Sequence, residues 1–160
     1  MQTFKYSVNG SKKLCFTKNT DLSRIPEAAR KIMSRFAAEK CGAEDEISVI
    51  ETEKPISDKL KEELRRLNKT DVISNPDGYV IKMSRKGITV SADSDAGIMN
   101  GLMTFLRLLD DDGRYGREML CDCPICGIRG IKLMIPAREN IKDFYDFIDM
   151  MVFFHHNTLM

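Results

Sequence analysis

Three cysteines crowd into one short segment, the densest grouping of metal-ligating or redox-active side chains in the sequence. Cys121, Cys123 and Cys126 all lie within residues 121–126, and closely spaced thiolates can share one soft cation. A structural zinc site needs four ligands, but the other candidates are scattered: Cys15, Cys41, His155 and His156. None of these forms a second paired cluster. The favoured interpretation is therefore small buried or linker cysteines, with no metal and no cofactor.

Two further groups of polar side chains have simple structural interpretations. Asp143, Asp146 and Asp149 recur at helical spacing and are interpreted as the polar face of an otherwise apolar helix. His155 and His156 are adjacent, so they would point to different sides of a helix rather than to one ligand. The sequence contains no P-loop, Rossmann or G-x-S-x-G motif. Taken alone, these residues predict no catalytic group in this chain.

The composition of the 160 residues excludes several classes of protein. Apolar residues make up 42%, enough for a core, so wholesale disorder is excluded. The 25 Lys and Arg residues balance 24 Asp and Glu residues, without the basic excess of a nucleic-acid binder. No apolar run approaches the ~18 residues that cross a bilayer. The N-terminus lacks the apolar stretch of a secretion signal, so the cytoplasm is the default expectation. We expect no nucleic-acid or membrane partner.

The clearest structural pattern is a hairpin followed by a long helix. A turn at 75–78 precedes strand patterns at 79–83 and 88–92, and an Asp-Ser-Asp sequence then supplies capping oxygens for a helix. Gly97 and Gly101 lie four residues apart on one face of that helix. Glycine costs about 1 kcal/mol at such positions, so a close approach to a neighbouring backbone is expected. Weaker patterns predict strands at 3–8, 14–16 and 47–50 and helices at 26–40 and 57–67.

The last part of the sequence has a different character. A strand pattern at 131–135 is followed by a loop, a very apolar helix at 143–156 and the start of another strand. One such unit buries its apolar faces only beside sister units, whereas a (β/α)₈ barrel takes ~250 residues. The pattern therefore predicts a truncated chain: a small α+β domain at 1–112, a connector at 113–127 and the start of a barrel at 128–160.

Three segments resemble a known family. The hairpin and helix from Gly78 to Leu109, the segment from Ile128 through Arg138 and the segment from Phe154 to Leu159 are similar to the family 20 glycoside hydrolases, the β-N-acetylhexosaminidases. The likeness spans about residues 72 to 160. It implies an α+β domain with an antiparallel sheet backed by helices, like the second domain of hexosaminidases and zincin-like in type, followed by the first βα unit of a truncated TIM barrel.

The resemblance also implies a function. The substrate would be a terminal N-acetylhexosamine in a glycan, cleaved by a retaining mechanism in which the substrate's own acetamido group attacks. The family's catalytic Asp–Glu pair lies on a later barrel strand, so this chain would be inactive alone. Arg138 matches the family's substrate-binding arginine after the first barrel strand. The family's Asp before it and His after it are replaced by Ile135 (or Met134) and Glu139. Arg129 matches the Arg-Gly at the strand's start, the face associated with stability.

An alternative remains open at this point. The chain could be a non-catalytic carbohydrate- or protein-interaction module, complete in itself, whose last strand and helix finish its own core. The two hypotheses differ in association state. An unmatched barrel unit would expose an apolar patch larger than monomers usually tolerate, so we expect the chain to self-associate through residues 128–160.

Overall fold

The structure is a computed structural model, and it describes residues 12–13, 29–32, 49–84, 87–108, 114–116 and 118–160. The chain divides into two compact units, Met1–Cys123 (unit 1) and Pro124–Met160 (unit 2). The strands predicted at 3–8 and 14–16 lie outside the described residues. Of the helix predicted at 26–40, the described residues 29–32 are helical.

Unit 1 alternates short strands and helices. In chain order its elements are β1 (Lys12–Lys13), α1 (29–32), β2 (Val49–Glu53), α2 (Asp58–Arg66), α3 (Thr70–Ser74), β3 (Tyr79–Ser84), β4 (Gly87–Ala92), α4 (Asp95–Leu108), β5 (Arg114–Tyr115) and β6 (Met119–Asp122). The predicted hairpin and long helix are present, whereas α3 and β6 were not predicted. Strand β6 lies in the segment that the sequence patterns suggested to be a connector.

The main sheet of unit 1 has four strands in the order β2-β4-β3-β6. Strand β3 is antiparallel to both β4 and β6, but β2 is parallel to β4. The expectation of an antiparallel sheet was therefore only partly right: two of the three strand pairs in this sheet are antiparallel and one is parallel, so the sheet is mixed. The physical reason is the connection from β2 to β4, which passes through α2, α3 and β3 and is long enough for the crossover that a parallel pair requires.

Helices lie against both faces of this sheet. Residues directly opposite each other in register share a face, so Tyr79 pairs with Ala92, and Ile81 with Val90, on the face that α4 covers. The other face carries Val80. It packs in a buried cluster with residues of α2, α3 and the loop before them: Ile56, Leu60, Leu64 and Val72.

The glycines of α4 make the close approach that the sequence predicted. A Cβ added to Gly97 would lie 2.6 Å from the carbonyl oxygen of Gly78, and one added to Gly101 would lie 2.4 Å from Cγ1 of Val90. Both distances are far shorter than a van der Waals contact. At the start of the helix, the Ser94 hydroxyl accepts a hydrogen bond from the backbone amide of Gly97 at 2.9 Å, which satisfies one of the free amides of the first turn.

Unit 2 is a strand–helix–strand arrangement. It contains β7 (Gly130–Ile131), a 3-10 turn (Arg138–Asn140), α5 (Ile141–Phe153) and β8 (Thr158–Leu159). Strands β7 and β8 are parallel, with Gly130 opposite Thr158. The predicted strand, helix and second strand are all present, although the regular part of β7 is shorter than the predicted 131–135. No helix among the described residues combines the length and apolar character needed to span a membrane.

Candidate functional site

The carboxyl ends of β7 and β8 define the edge of unit 2 at which the sequence-predicted binding residue lies. Backbone hydrogen bonds continue the pairing past the regular strands, from Leu133 N to Met160 O at 2.8 Å and from Met160 N to Ile131 O at 3.0 Å. Because the two strands are parallel, their carboxyl ends lie at the same edge of the pair. The segment that leaves β7 there leads directly into the 3-10 turn.

Arg138 is the first residue of that turn, and its side chain is exposed. Among the described residues, its guanidinium has no hydrogen bond or ion pair. A free guanidinium fork presents several N–H donors in fixed geometry and can bind two neighbouring oxygens at once. Glu139 and Asn140 follow it and are also exposed. The turn can therefore offer hydrogen-bond donors and acceptors to a polar ligand. In the segment that precedes the turn, Met134 and Ile135 are each more than 90% exposed.

Arg129 lies at the opposite end of β7 and has a different environment. Its Nε donates to the carbonyl of His155 and its Nη1 to the carbonyl of Cys126, both at 2.7 Å. Its backbone amide donates to Oδ1 of Asn157 at 2.9 Å. These bonds agree with the structural role expected for Arg129. Sequence reasoning missed Asn157 as its partner, since the bonds to it involve the backbone of Arg129.

The three cysteines of residues 121–126 differ in their exposure. Cys121 and Cys123 are half-buried in unit 1, Cys126 is exposed, and all three are free thiols. Burial, with Asp71 nearby, raises the pKa of Cys123 to about 11, and burial likewise raises the pKa of Cys121. Thiols with raised pKa values are protonated near neutral pH, where they are poor nucleophiles. Within the described part of the chain, no three Cys, His, Asp or Glu residues are grouped to hold a metal ion.

The three aspartates lie on α5, whereas the two histidines follow its end. His155 has a positive φ of 63° and lies in the loop that joins α5 to β8. The Nδ1 atom of His156 is buried and has no hydrogen-bond partner among the described residues. Asp143 is exposed, while Asp146 and Asp149 are half-buried. In the part of the chain that the structure describes, these histidines and aspartates form no group of three or more that could hold a metal ion.

A polar network around the buried residues Tyr79 and Thr104 of unit 1 was not predicted from the sequence. The Tyr79 hydroxyl lies 2.7 Å from the hydroxyl of Thr104 and donates to Asp122 at 3.3 Å. Arg107 Nη2 donates to Thr104 at 3.1 Å. Burial raises the pKa of Tyr79 well above its ordinary value, so the phenol stays neutral. The network joins α4 to β3 and β6. Its residue types are common in strands and helices, so the sequence gave no indication that these side chains would bond to one another.

Several solved structures with the fold of this chain are glycosidases, and at their low sequence identities the likeness shows the fold alone. A glycoside hydrolase family 20 β-N-acetylglucosaminidase aligns with 97% of this chain and 28% of its own, at 16% identity and a TM-score of 0.63. A β-N-acetylhexosaminidase from Bacteroides fragilis aligns with 95% and 30%, at 17% identity and a TM-score of 0.59. An exo-β-N-acetylglucosaminidase from Vibrio harveyi aligns with 92% and 21%, at 17% identity and a TM-score of 0.55.

The chain thus spans less than a third of the length of these solved structures. No curated protein matches the sequence. Residues 7–126 match the family description "Glycosyl hydrolase family 20, domain 2". Because that match covers most of the sequence, the chain belongs to glycosyl hydrolase family 20 and contains the family's domain 2.

Proposed function

We propose that the chain is the N-terminal part of a family 20 glycoside hydrolase that removes terminal N-acetylhexosamine residues from glycans. On this proposal the small domain does not end at residue 112 but extends to the end of β6, which pairs with β3 in the main sheet. Residues 128–160 form the first βα unit of the catalytic (β/α)₈ barrel. The observation that carries it is the parallel β7–α5–β8 arrangement of unit 2, which directly follows the family's domain 2. That order of elements is expected where a barrel begins.

The exposure of unit 2 supports the same proposal. Among residues 124–160, all of which the structure describes, only Met151 is buried. Most of the large apolar side chains in the unit are more than 40% exposed: Ile125, Ile128, Met134, Ile135, Ile141, Tyr145, Met150, Phe154, Leu159 and Met160. Monomeric proteins rarely leave apolar surface of this extent uncovered. Sister βα units would bury it.

The chemistry would then be divided between this chain and the barrel strands that complete it. In the proposed mechanism the substrate's acetamido oxygen attacks the anomeric carbon, an aspartate orients the acetamido group and a glutamate protonates the leaving oxygen. That acidic pair belongs to a later strand, so the 160 residues supply no catalytic group. The alternative of a self-contained interaction module is not favoured, because the chain belongs to a hydrolase family.

Arg138 is the residue that this chain would contribute to substrate binding. Barrel active sites lie at the carboxyl ends of the strands, and Arg138 follows the carboxyl end of β7. Its exposed guanidinium would donate to two adjacent hydroxyls of the terminal sugar.

The test compares residues 1–160 with a longer protein that carries the complete barrel, using 4-nitrophenyl N-acetyl-β-D-glucosaminide. We expect hydrolysis by the longer protein only. Within it, Arg138→Ala and Arg138→Lys are expected to lower kcat/KM by about 100-fold, because a bidentate donor is lost. Lys142→Ala, at an exposed position near the same turn, is the matched control and should change kcat/KM less than twofold. Hydrolysis by residues 1–160 alone would refute the proposal.

We also propose that the isolated chain associates with a second copy of itself through unit 2. Analytical ultracentrifugation should show concentration-dependent association. Replacing Met134 and Ile135 by lysine should abolish it at little cost to folding, because both side chains are more than 90% exposed. Leu67→Lys, at a half-exposed apolar position in unit 1, is the control and should leave association unchanged. A monomer at all concentrations would contradict this part of the proposal.

A further inference from the structure

Two residues of unit 2 join three segments that are separate in sequence. Arg129 precedes β7, and Asn157 precedes β8. Between them they bond to the segment before β7, to each other and to the loop that follows α5. We call this pair and its hydrogen bonds the Arg129–Asn157 clamp.

The Arg129 half of the clamp uses the side chain and the backbone. The guanidinium donates to the carbonyls of Cys126 and His155 at 2.7 Å each, which joins the segment before β7 to the loop before β8. The backbone carbonyl of Arg129 accepts from the amide of Asn157 at 2.9 Å. Bonds from a cationic donor are stronger than those between neutral groups.

The Asn157 half completes the arrangement. Its Oδ1 accepts from the Arg129 amide at 2.9 Å and from the Thr158 hydroxyl at 3.0 Å, and its Nδ2 donates to the carbonyl of Gly127 at 2.7 Å. Both polar atoms of the amide are therefore used. A carboxylate at this position could accept from Arg129 but could not donate to Gly127.

The register of β7 against β8 needs such a device, because burial does not specify it. A one-residue slip moves every side chain of a strand to the other face, and register is weakly specified where no face is buried. The regular strands are only two residues long. None of their four residues is buried: Ile131 and Thr158 are half-buried, whereas Gly130 and Leu159 are exposed. Burial within this unit therefore selects neither face of the strands.

We propose that Arg129 and Asn157 are positioning residues that fix the register of β7 against β8 and thereby fix where Arg138 leaves the strand pair. The claim about register stands on the hydrogen bonds alone. The step to Arg138 as a substrate-binding residue rests on the proposed function.

Site-resolved hydrogen exchange in the 160-residue chain tests the register. The amides of Leu133 and Met160 report the pairing at the end of the strands remote from the clamp, and the amides of α5 report the stability of unit 2 as a whole. In Arg129→Ala we expect exchange at Leu133 and Met160 to rise about tenfold or more, with α5 unchanged. Lys132→Ala, at an exposed position on the same segment, is the control. It should change the exchange rates neither at Leu133 and Met160 nor in α5.

A more conservative variant keeps the test decisive if Arg129→Ala fails to fold. Asn157→Asp has nearly the same shape and removes the donor to Gly127, so exchange at Leu133 and Met160 should rise while α5 keeps its protection. Unchanged exchange at these two amides would overturn the proposal. An equal rise in α5 would also overturn it, because the residues would then support general stability and not register.

Activity of the longer protein separates this proposal from the proposed function. Arg129→Lys, which cannot reproduce the guanidinium fork, should lower kcat/KM about tenfold through displacement of Arg138. If the wild-type longer protein does not hydrolyse the substrate but the exchange results are as expected, the proposed function fails and the clamp stands. If it hydrolyses the substrate but register is insensitive to Arg129 and Asn157, the clamp fails alone.

Discussion

The close contact between α4 and the β3–β4 hairpin makes Gly101→Ala a quantitative test of the fold. The new methyl group would lie 2.4 Å from Cγ1 of Val90, whereas carbon atoms in contact are about 3.5–4.0 Å apart. Val90 is fully buried on a central strand, and its β-branched side chain has few alternative rotamers. One of the two backbones must therefore move by about 1 Å, which is roughly the difference between these distances.

Two opposing contributions determine how much Gly101→Ala changes the free energy of unfolding. Overpacking of this kind costs about 1–3 kcal/mol, and this distance puts Gly101→Ala at the upper end. Alanine in place of glycine stabilises a helix by about 1 kcal/mol, which offsets part of this cost. We therefore expect a net loss of about 2 kcal/mol in the free energy of unfolding, measured by urea denaturation with circular dichroism.

A double-mutant cycle isolates the contact. Val90→Ala removes Cγ1, so Gly101→Ala in that background should be neutral or stabilising by up to about 1 kcal/mol, which gives a coupling of about 2–3 kcal/mol. Gly127→Ala is the control, because a Cβ there has no atom within 4 Å. The same destabilisation by Gly101→Ala in both backgrounds would refute the close-packing explanation.

Two further predictions concern groups whose pKa values are raised in unit 1. Tyr79→Phe removes the hydroxyl that bonds Thr104 and Asp122 and should cost about 1 kcal/mol in urea denaturation; an unchanged midpoint would contradict it. The free energy of unfolding should also depend on alkaline pH, because the folded state holds the Cys123 proton more tightly than the unfolded chain. The contribution of this thiol is complete below pH 9.0 and is lost as pH rises toward about 11. The decline in the free energy of unfolding with pH should be smaller in Cys123→Ala. A pH profile identical to that of the wild type would contradict this prediction.

The sequence predicted the elements that are specified locally. The hairpin at Tyr79–Ser84 and Gly87–Ala92 and the following helix have strong turn, capping and periodicity signals, and their observed bounds lie close to the predicted ones. The helical glycines also predicted the close contact correctly. Strand β6 was missed because it is a short, half-exposed strand at the edge of the sheet, with little hydrophobic alternation.

Non-local features were beyond sequence reasoning. The parallel pairing of β2 with β4 depends on which strands meet after folding, and short apolar runs carry no such information. The role of Arg138 came from family resemblance and stays a prediction. The partners of Arg129 include backbone carbonyls, and a backbone carbonyl has no signature in the amino-acid sequence.

The late position of β6 in the chain has a consequence for how the protein is made. Strand β3 acquires its second neighbour only from residues 119–122, which come after α4 and immediately before unit 2. During translation the fourth strand of this sheet is therefore the last to be made, immediately before unit 2 in the sequence. A recombinant fragment that stops at residue 112 would keep the hairpin and α4 but would lack β6. Strand β3 would then be an unpaired edge strand, which favours pairing with other copies of the fragment.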